Sequence, residues 1–355
     1  VGLAAHDFAQ SAAAPHVALT RALRSGGAPT KPSRWIVRLK NILAGAGALE
    51  AVDASARLAA WSEALDDAGP PTRVKPPKPT PPIDARPRAL FVTRIEKWLR
   101  DPYAIYAQYI LGLRKLDGLG EPFDARHLGN LLHKVFERAA LTGAERGDLD
   151  TLLAEEAPAH GFGAVESAFW GPSIEKALDW FDAFHAERLT QGEPVVLEQD
   201  GAAVFDAAAG PFTLSAKPDR IDLLTNGEAY LFDYKSGKIP SPAEMKKFRV
   251  QLPLTALIAE RGGFAALGPS RVAGFQYLKT LGRKTDDKGN ETGAHGAEAQ
   301  DLMRETGDGL IEWINAFDEQ STPYRSQPRP QFADDFGDYD HLARRREWGA
   351  LGDDQ

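Results

Sequence analysis

The sequence predicts an α/β protein in which helices flank a mixed central sheet, with a small helical segment at the N-terminus. Helices are predicted where apolar residues recur every three or four positions, most clearly over residues 125–141 and 173–189. After residue 194 the pattern changes to strands, with Asn226-Gly227 as a hairpin signal. The predicted strands cover residues 195–205, 212–224 and 229–235, followed by one more at 271–278.

The composition limits the classes of protein and of site. At about 150 residues per domain, a length of 355 residues predicts two folded domains. Hydrophobic residues make up 43% and charged residues 26%, which is typical of a globular protein. Because cysteine is absent, disulfides, thiolate zinc sites, cysteine-ligated iron-sulfur clusters and a cysteine nucleophile are excluded. The formal net charge of -8 means that any nucleic-acid site is local.

Targeting signals and membrane spans are not predicted. No run approaches the ~18 consecutive apolar residues of a membrane span. The opening VGLAAHDFAQ lacks the basic start and the apolar run of a signal peptide. The sequence therefore predicts a cytoplasmic protein with no membrane partner. It begins with valine in mid-pattern, which predicts a fragment of a longer polypeptide.

The distribution of proline predicts the domain organisation. Eight of the 25 prolines lie between Pro70 and Pro87, a density that favours an extended, polyproline-like linker. Before the linker, helices are predicted on both sides of a loop at 25–33, the second of them from about Trp35. The expected segments are a helical segment at 1–68, the linker at 69–88 and the main domain at 89–355.

Several helices are predicted in the main domain. Thr93 is a predicted N-cap, because Glu96 follows it by three residues, and Asp101-Pro102 is expected to break that helix. Later in the chain, a continuous helix is predicted at 242–261, a polar loop at 279–296 and a final helix at 297–319. The apolar stripe of the helix at 125–141 consists of Leu128, Leu131, Leu132, Val135, Phe136 and Ala139.

Acidic and basic residues at two strand ends are the candidates for chemistry. Residues two apart on a strand face the same side, so Asp233 and Lys235 project together. Asp219 precedes them on the adjacent strand, His133 projects from a helix flank, and Gln251 lies on the following helix. Carboxylates, a carbonyl and an imidazole are ligands that Mg²⁺ or Mn²⁺ accepts. The alternative interpretation is that the two acids merely end strands and pair with neighbouring bases.

The order of these residues resembles the PD-(D/E)XK nucleases of the RecB type, with Gly129-x-x-x-His133, Pro218-Asp219, Asp233-Tyr234-Lys235-Ser236 and then Gln251. Longer strings resemble the C-terminal nuclease domain of the AddB family. Members of that family are subunits of helicase-nucleases that resect DNA double-strand breaks. These strings include TRIEKWLRDPYAIYAQYIL, GNLLHKVFERAA, AKPDRIDLL, LFDYKSG and QLPLTALIAE. Near the N-terminus, VALTRA resembles the final motif of superfamily 1 helicases, which implies the tail of a helicase-like domain.

The resemblance implies a PD-(D/E)XK nuclease fold with a single metal site. Lys235 is then the catalytic lysine, acting with the two carboxylates, and Gln251 organises the site or contacts DNA. Thr255 stands where many relatives have tyrosine, and the absence of cysteine excludes the iron-sulfur cluster of other relatives. The implied ligands of Mg²⁺ or Mn²⁺ are His133, Asp219, Asp233 and the backbone carbonyl of Tyr234.

The expected function is Mg²⁺-dependent, exonuclease-type hydrolysis of DNA phosphodiesters during double-strand break resection and recombinational repair. DNA and an AddA-like helicase-nuclease subunit are the expected partners. The alternative is a catalytically silent module that binds DNA or scaffolds a helicase complex. The presence of all the expected site residues favours the enzyme, and the chain lacks a Walker A sequence for binding ATP.

The hairpin register decides whether the site residues share one face. A two-residue Asn226-Gly227 turn places Asp219 opposite Tyr234, on the face away from the other site residues. A three-residue loop at 226–228 pairs Asp219 with Lys235 and brings all of them to one face. A shared metal therefore predicts a three-residue, bulge-containing turn with positive φ in the turn, or an equivalent bulge at the preceding proline.

Overall fold

The structure is a computed structural model that describes residues 2–52, 55–67, 69, 75–116, 123–284, 289–329 and 337–349. It divides into two compact units, residues 1–73 and 74–355. Most of the proline pairs of the predicted linker fall in the second unit, while residues 70–74 of that linker lie outside the described residues. Among the described helices, none combines the length and the apolar character that a bilayer crossing requires.

The first unit consists mainly of helices, as predicted. Ser33 caps the second helix, because its hydroxyl accepts a hydrogen bond from Ile36 N at 3.3 Å. A short antiparallel hairpin at residues 24–29 overlaps the loop predicted at 25–33. The elements are α1 (Gly2–Ala12), β1 (Arg24–Ser25), β2 (Ala28–Pro29), α2 (Arg34–Gly45), α3 (Leu49–Val52) and α4 (Ser55–Asp66).

The chain from 75 to 88, predicted as part of a linker, packs into the second unit. Pro79 O accepts a hydrogen bond from Tyr324 N at 2.9 Å. The guanidinium of Arg86 is buried and donates to the carbonyls of Pro81 and Phe317, at 3.0 and 2.6 Å. Extended, proline-rich chain has unpaired carbonyls, and here Tyr324 of the main body and Arg86 of the segment itself supply donors to them.

The first helix of the main domain starts differently from the prediction. The first main-domain helix begins at Val92 and lacks a side-chain cap, so the predicted N-cap at Thr93 is wrong. The break at Asp101-Pro102 is confirmed. The elements are β3 (Ala89–Phe91), α5 (Val92–Arg100), α6 (Pro102–Ile105) with a π-helical extension (Tyr106–Ile110), α7 (Ala125–Thr142), α8 (Arg146–Glu156) and α9 (Ala164–Leu189).

Strands with mixed pairing in the second unit confirm the predicted α/β class. One sheet has the order β10-β9-β8-β7-β4, with β8 and β9 parallel and its other pairs antiparallel, and a smaller sheet has the order β3-β6-β5. The strands after β3 are β4 (Gly192–Leu197), β5 (Gly201–Phe205), β6 (Phe212–Ala216), β7 (Arg220–Leu224), β8 (Ala229–Lys235), β9 (Val272–Lys279) and β10 (Glu291–His295).

Two predicted strands are each split. The segment 195–205 forms β4 and β5, and 212–224 forms β6 and β7, and in both cases the two halves belong to different sheets. The second break contains Pro218, which has no amide to donate to a sheet. Asp219 therefore lies immediately before β7, where its side chain is not confined by a regular ladder.

The elements after β8 also differ in part from the prediction. The helix predicted at 242–261 is interrupted after Met245, and β10 lies within the segment predicted as a polar loop. β10 pairs with β9, so cross-strand pairing rather than composition decides its conformation. The final long helix is confirmed. The helices are α10 (Pro242–Met245), α11 (Gln251–Glu260), α12 (Gly296–Asp318) and α13 (Arg345–Gly349).

The larger sheet separates two hydrophobic cores. On one face, Leu231 of β8 packs in a core with residues of α5, α11 and α12. On the other face, Phe232 and Tyr234 pack against the predicted apolar stripe of α7, all of which is buried, and against α9. Alternate residues of β8 thus enter opposite cores, so burial fixes the direction of each of its side chains.

The β7–β8 hairpin has a three-residue loop, as a shared face requires. Leu224 N donates to Glu228 O at 2.8 Å, which leaves residues 225–227 as the loop, and Gly227 has a φ of 83°. The loop lies one residue earlier than predicted. Arg220 pairs with Phe232, so the register extends to place Asp219 opposite Asp233. Asp219 still shares a face with Asp233 and Lys235. The one-residue shift of the loop moves the partner of Asp219 by two residues, from Lys235 to Asp233, and residues two apart face the same side.

Candidate active site

α7 brings His133 to the end of β8. Asp124 caps this helix by accepting hydrogen bonds from the amides of its first turn. One turn before His133, a Cβ on Gly129 would lie only 2.8 Å from Ser236 Oγ, so glycine permits this close approach of helix and strand. His133 Nε2 donates to the carbonyl of Tyr234 at 2.9 Å, because a carbonyl can only accept. The ring's other nitrogen, Nδ1, is therefore directed away from β8.

Asp219 connects His133 to the same peptide. Its Oδ1 lies 3.3 Å from His133 Nδ1, and its Oδ2 accepts a hydrogen bond from Tyr234 N at 2.5 Å. The backbone of Tyr234 is thus held by the imidazole at its carbonyl and by the carboxylate at its amide. These contacts join α7, the start of β7 and the end of β8 at one point.

Asp233 and Lys235 form the second half of the site. Lys235 Nζ lies 2.5 Å from Asp233 Oδ1, and Gln251 Nε2 donates to Asp233 Oδ2 at 2.5 Å. Asp233 is only 2% exposed, whereas Lys235 is half-buried. One oxygen of the buried carboxylate therefore accepts a hydrogen bond and the other is in ionic contact with the lysine ammonium, which lies at the boundary between the core and solvent.

Glu198 is a member of the site that was not predicted from the sequence. Its Oε1 lies 3.6 Å from His133 Nδ1, and its Oε2 lies 2.9 Å from Lys217 Nζ. Its backbone has a φ of 48°, and its amide donates to Pro218 O at 3.1 Å, next to Asp219. The sequence placed Glu198 inside one strand; the polar run that ends at Gly201 was the available signal of a break there.

The donor atoms suit a hard divalent cation. One ligand atom from each of His133, Glu198 and Asp219 lies within 4.8 Å of the others. Imidazole nitrogen and carboxylate oxygen are ligands that Mn²⁺ and Mg²⁺ accept. Among the described residues, Asp233 lies outside this group of three and faces Lys235 instead. The geometry thus adds Glu198 to the expected donors and leaves the part of Asp233 to be tested.

Comparison with known families decides what kind of protein this is. A family model described as the PD-(D/E)XK nuclease superfamily matches residues 89–344. The chain belongs to the PD-(D/E)XK nuclease superfamily. The match covers both sheets of the second unit and every site residue described above, so the fold and the site belong to the same domain.

Individual relatives of this member of the PD-(D/E)XK nuclease superfamily are distant. An uncharacterized protein of Rickettsia typhi is 28% identical over 205 residues, which is 55% of this chain and 23% of that protein. One of Rickettsia conorii is 26% identical over 189 residues, 50% of this chain and 23% of that protein. An ATP-dependent helicase/deoxyribonuclease subunit of Streptococcus mutans is 27% identical over 218 residues, 58% and 19% of the two chains. The chain matches about a fifth to a quarter of the length of these relatives.

Burial and charge shift the ionisation of this PD-(D/E)XK site. Burial alone would lower the pKa of His133, but Asp219 and Glu198 overcome this and raise its pKa to about 10. Burial would raise the pKa of Asp219, yet the His133 imidazolium holds that pKa below its usual value. Burial raises the pKa of Asp233 to about 6. At neutral pH the protonated imidazole thus supplies positive charge that the carboxylates require.

Asp222, three residues after Asp219 and therefore on the opposite face of the strand, lies in a buried ionic network. Its two oxygens accept from Arg220 Nε and Arg188 Nε, the latter at 3.0 Å. Arg220 also donates to His185 Nδ1 at 2.8 Å, and both Arg220 and Asp222 are completely buried. The network joins α9 to β7, which makes Asp222 a structural acid rather than a member of the metal site.

We expect Asp222→Ala to destabilise the fold by about 3–5 kcal/mol, because it leaves two arginines without their buried counter-charge. Urea unfolding followed by circular dichroism measures the change. Asp206→Ala, at an exposed acid outside both sites, is the matched control and should cost less than about 0.5 kcal/mol. Similar stabilities for the two variants would contradict the structural role of Asp222.

Proposed function

We propose that this PD-(D/E)XK protein is a metal-dependent deoxyribonuclease that hydrolyses DNA phosphodiester bonds. The observation that carries the proposal is the position of Lys235, whose ammonium lies 2.5 Å from Asp233 at the same strand end as the pair formed by His133 and Asp219. A half-buried ammonium group and a set of hard metal ligands are thereby combined at one strand end. We assign metal binding to His133, Asp219, Asp233 and the backbone carbonyl of Tyr234, with Glu198 as a further donor to be tested and Lys235 as the catalytic lysine. Coordination by the carbonyl would replace the hydrogen bond that it accepts from His133 Nε2.

Each residue has a separate task in the proposed reaction. A bound Mg²⁺ or Mn²⁺ would polarise the phosphodiester and lower the pKa of a bound water molecule. Lys235 orients the attacking water or stabilises negative charge that develops on the phosphate, while Asp233 holds the ammonium in place. Gln251 fixes the second oxygen of Asp233, so the carboxylate keeps one orientation. This contact supports a role for Gln251 in organising the site, and a contact with DNA is the alternative role that we assign to it.

We further propose that the reaction is exonuclease-type cleavage during end resection and recombinational repair of double-strand breaks, together with an AddA-like helicase-nuclease subunit. The name of the Streptococcus mutans relative, a helicase/deoxyribonuclease subunit, supports this role. The VALTRA string supports the assignment of residues 1–68 to the tail of a helicase-like domain, joined by residues 69–88 to the nuclease domain at 89–355. No iron-sulfur cluster is expected without cysteine.

Digestion of end-labelled DNA in the presence of Mg²⁺ tests the proposal. Linear single-stranded and double-stranded DNA are compared with closed circular DNA of the same sequence. Release of short products from linear DNA alone supports exonuclease-type hydrolysis, and cleavage of circles would replace it with endonucleolytic cutting. Binding to DNA without any product in Mg²⁺ or Mn²⁺ would favour the alternative function, a silent binding or scaffolding module.

A second lysine lies beside the proposed catalytic one. β8 and β9 run parallel, and Lys235 pairs with Lys279 at the ends of the two strands. Partners in a parallel pair share a face, about 4.8 Å apart. The backbone of Lys279 is fixed, since its amide donates to Asn290 O and its carbonyl accepts from Arg283 Nη1, both at 2.8 Å. A phosphate next to the scissile one is within the reach of this side chain.

We expect Lys279→Ala to weaken DNA binding and to reduce the slope of log K against log salt by about 1, because one phosphate contact is lost. The value of kcat should stay unchanged. Fluorescence anisotropy at several salt concentrations, with Ca²⁺ in place of Mg²⁺, measures the slope. Arg271→Ala provides the control, since Arg271 precedes β9 at its opposite end and pairs with Glu228. Equal slopes for the parent and Lys279→Ala would rule out the contact.

A further inference from the structure

Glu96 is a buried acid to which neither the proposed metal site nor the catalytic pair assigns a task. It lies in α5 and is 7% exposed. In the sequence, Glu96 supported a predicted N-cap at Thr93, but in the structure its partners come from a distant part of the chain. A buried carboxylate is costly unless it is paired and hydrogen-bonded, so these partners indicate its role.

Both oxygens of Glu96 contact the start of α11. Gln251 N donates to Oε1 at 3.0 Å, and Arg249 Nη1 donates to Oε2 at 3.2 Å. Gln251 is the first residue of α11, and the preceding Val250 has no side-chain cap to offer. The first amides of a helix lack partners within it, and the positive end of the helix dipole favours a carboxylate. Glu96 therefore supplies, from another helix, the cap that α11 lacks.

Further contacts hold the backbone of α11 at this end. Leu252 N donates to the hydroxyl of Tyr277 at 3.3 Å, and Thr255 Oγ1 donates to Gln251 O at 2.8 Å. The first amides of the helix thus point at fixed acceptors from α5 and β9. With its backbone held in this way, Gln251 directs its side-chain nitrogen to Asp233 Oδ2 at 2.5 Å.

We propose that Glu96 is a positioning residue of the nuclease site, acting through Gln251. By fixing the Gln251 amide at the start of α11, it holds the Gln251 side chain on Asp233. Asp233 in turn holds Lys235. The inference rests on the proposed function, because it concerns the same site. It extends that function because it gives α5, which holds none of the proposed metal ligands, a role in orienting the buried carboxylate of Asp233.

Four variants and a control test the proposal. We expect Glu96→Ala and Gln251→Ala each to lower kcat for DNA cleavage by about 10- to 100-fold, with little change in KM, as is usual for groups that orient a metal site. The double variant should be no slower than Gln251→Ala, because both changes break the same chain of contacts. Glu96→Gln keeps an oxygen for the Gln251 amide and has nearly the same shape, so it should fold and lose less activity than Glu96→Ala.

The control is Glu260→Ala, at the opposite end of the same helix. Glu260 also accepts from a backbone amide, that of Val272 at 3.3 Å, and from Gln300 Nε2 at 3.0 Å. We expect this variant to lose stability in urea without any change in kcat of the folded protein. A merely structural role for Glu96 would give it the same behaviour, and additive losses in the double variant would also overturn the proposal.

A measurement without DNA separates this inference from the proposed function. Calorimetric titration with Mn²⁺ should show that Glu96→Ala weakens metal affinity at the site by about 10-fold or more, whereas Glu260→Ala does not. If the parent binds Mn²⁺ but cleaves no DNA, hydrolysis fails while the positioning role can still be measured. If the parent cleaves DNA and Glu96→Ala matches it in both kcat and Mn²⁺ affinity, the positioning role fails while hydrolysis stands.

Discussion

Replacing Lys235 by alanine should lower the rate of DNA cleavage by at least about 10²- to 10³-fold, the usual loss when one charge-stabilising donor is removed. DNA binding should remain nearly intact, because the Lys235 ammonium is paired with Asp233 and so contributes little to the attraction of DNA phosphates. Single-turnover digestion of labelled DNA in Mg²⁺ measures the rate. Fluorescence anisotropy in Ca²⁺ measures the binding.

The matched control is Lys238→Ala, three residues further along the same segment. The Lys238 side chain is 83% exposed and lies 3.4 Å from Glu244, without contact to Asp233. It should cleave DNA at nearly the rate of the parent protein. If Lys235→Ala lost binding and cleavage in the same proportion, Lys235 would be an ordinary phosphate contact, and the proposed mechanism would have to be abandoned.

Asp219→Asn should abolish detectable Mn²⁺ binding, because Asp219 contacts His133 and the Tyr234 peptide at the centre of the site. In the parent protein, saturating Mn²⁺ should raise the melting temperature, since the cation binds only the folded state. That increase should vanish in the variant. Asp206→Asn, at the exposed acid outside the site, should behave like the parent in calorimetry and in thermal unfolding.

Asp233→Ala decides between two sets of metal ligands. A loss of Mn²⁺ affinity comparable to that of Asp219→Asn would support Asp233 as a ligand. Unchanged affinity would contradict this assignment and leave the cluster of His133, Glu198 and Asp219, whose ligand atoms lie within 4.8 Å of one another. The same titration on Glu198→Gln then gives the contribution of the residue that was not predicted from the sequence.

Mn²⁺ affinity should also increase as the pH rises. The pKa of His133 is raised to about 10 in the metal-free protein, so at neutral pH the imidazole carries a proton that metal binding must displace. Below that pKa, each unit of pH should strengthen binding by up to about tenfold for this one proton. Titrations between pH 6 and 9, in buffers of different ionisation enthalpy, also count the protons released. Affinity independent of pH would show that His133 is not a ligand.

The local sequence pattern was sufficient to predict an element wherever burial of one of its faces determines its conformation. The apolar stripe of α7 and the alternation in β8 each identify a buried face, so the helix, the strand and the side-chain directions of His133, Asp233 and Lys235 follow from spacing alone. The requirement that Asp219 share that face also selected a three-residue hairpin loop. The structure has such a loop, shifted by one residue, and the shift preserves the face.

Contacts between distant segments decided the rest. The chain passes from one sheet to another at Pro218 and again after β4, and this crossing brings Glu198 beside His133; no local pattern carries that information. Thr93 fails as a cap because Phe91 pairs with β6, so α5 begins directly after the strand, and Glu96 is then free to cap α11 instead. Hydrophobic periodicity reports only which face is buried, whereas the choice of partner depends on the free energy of packing the whole chain.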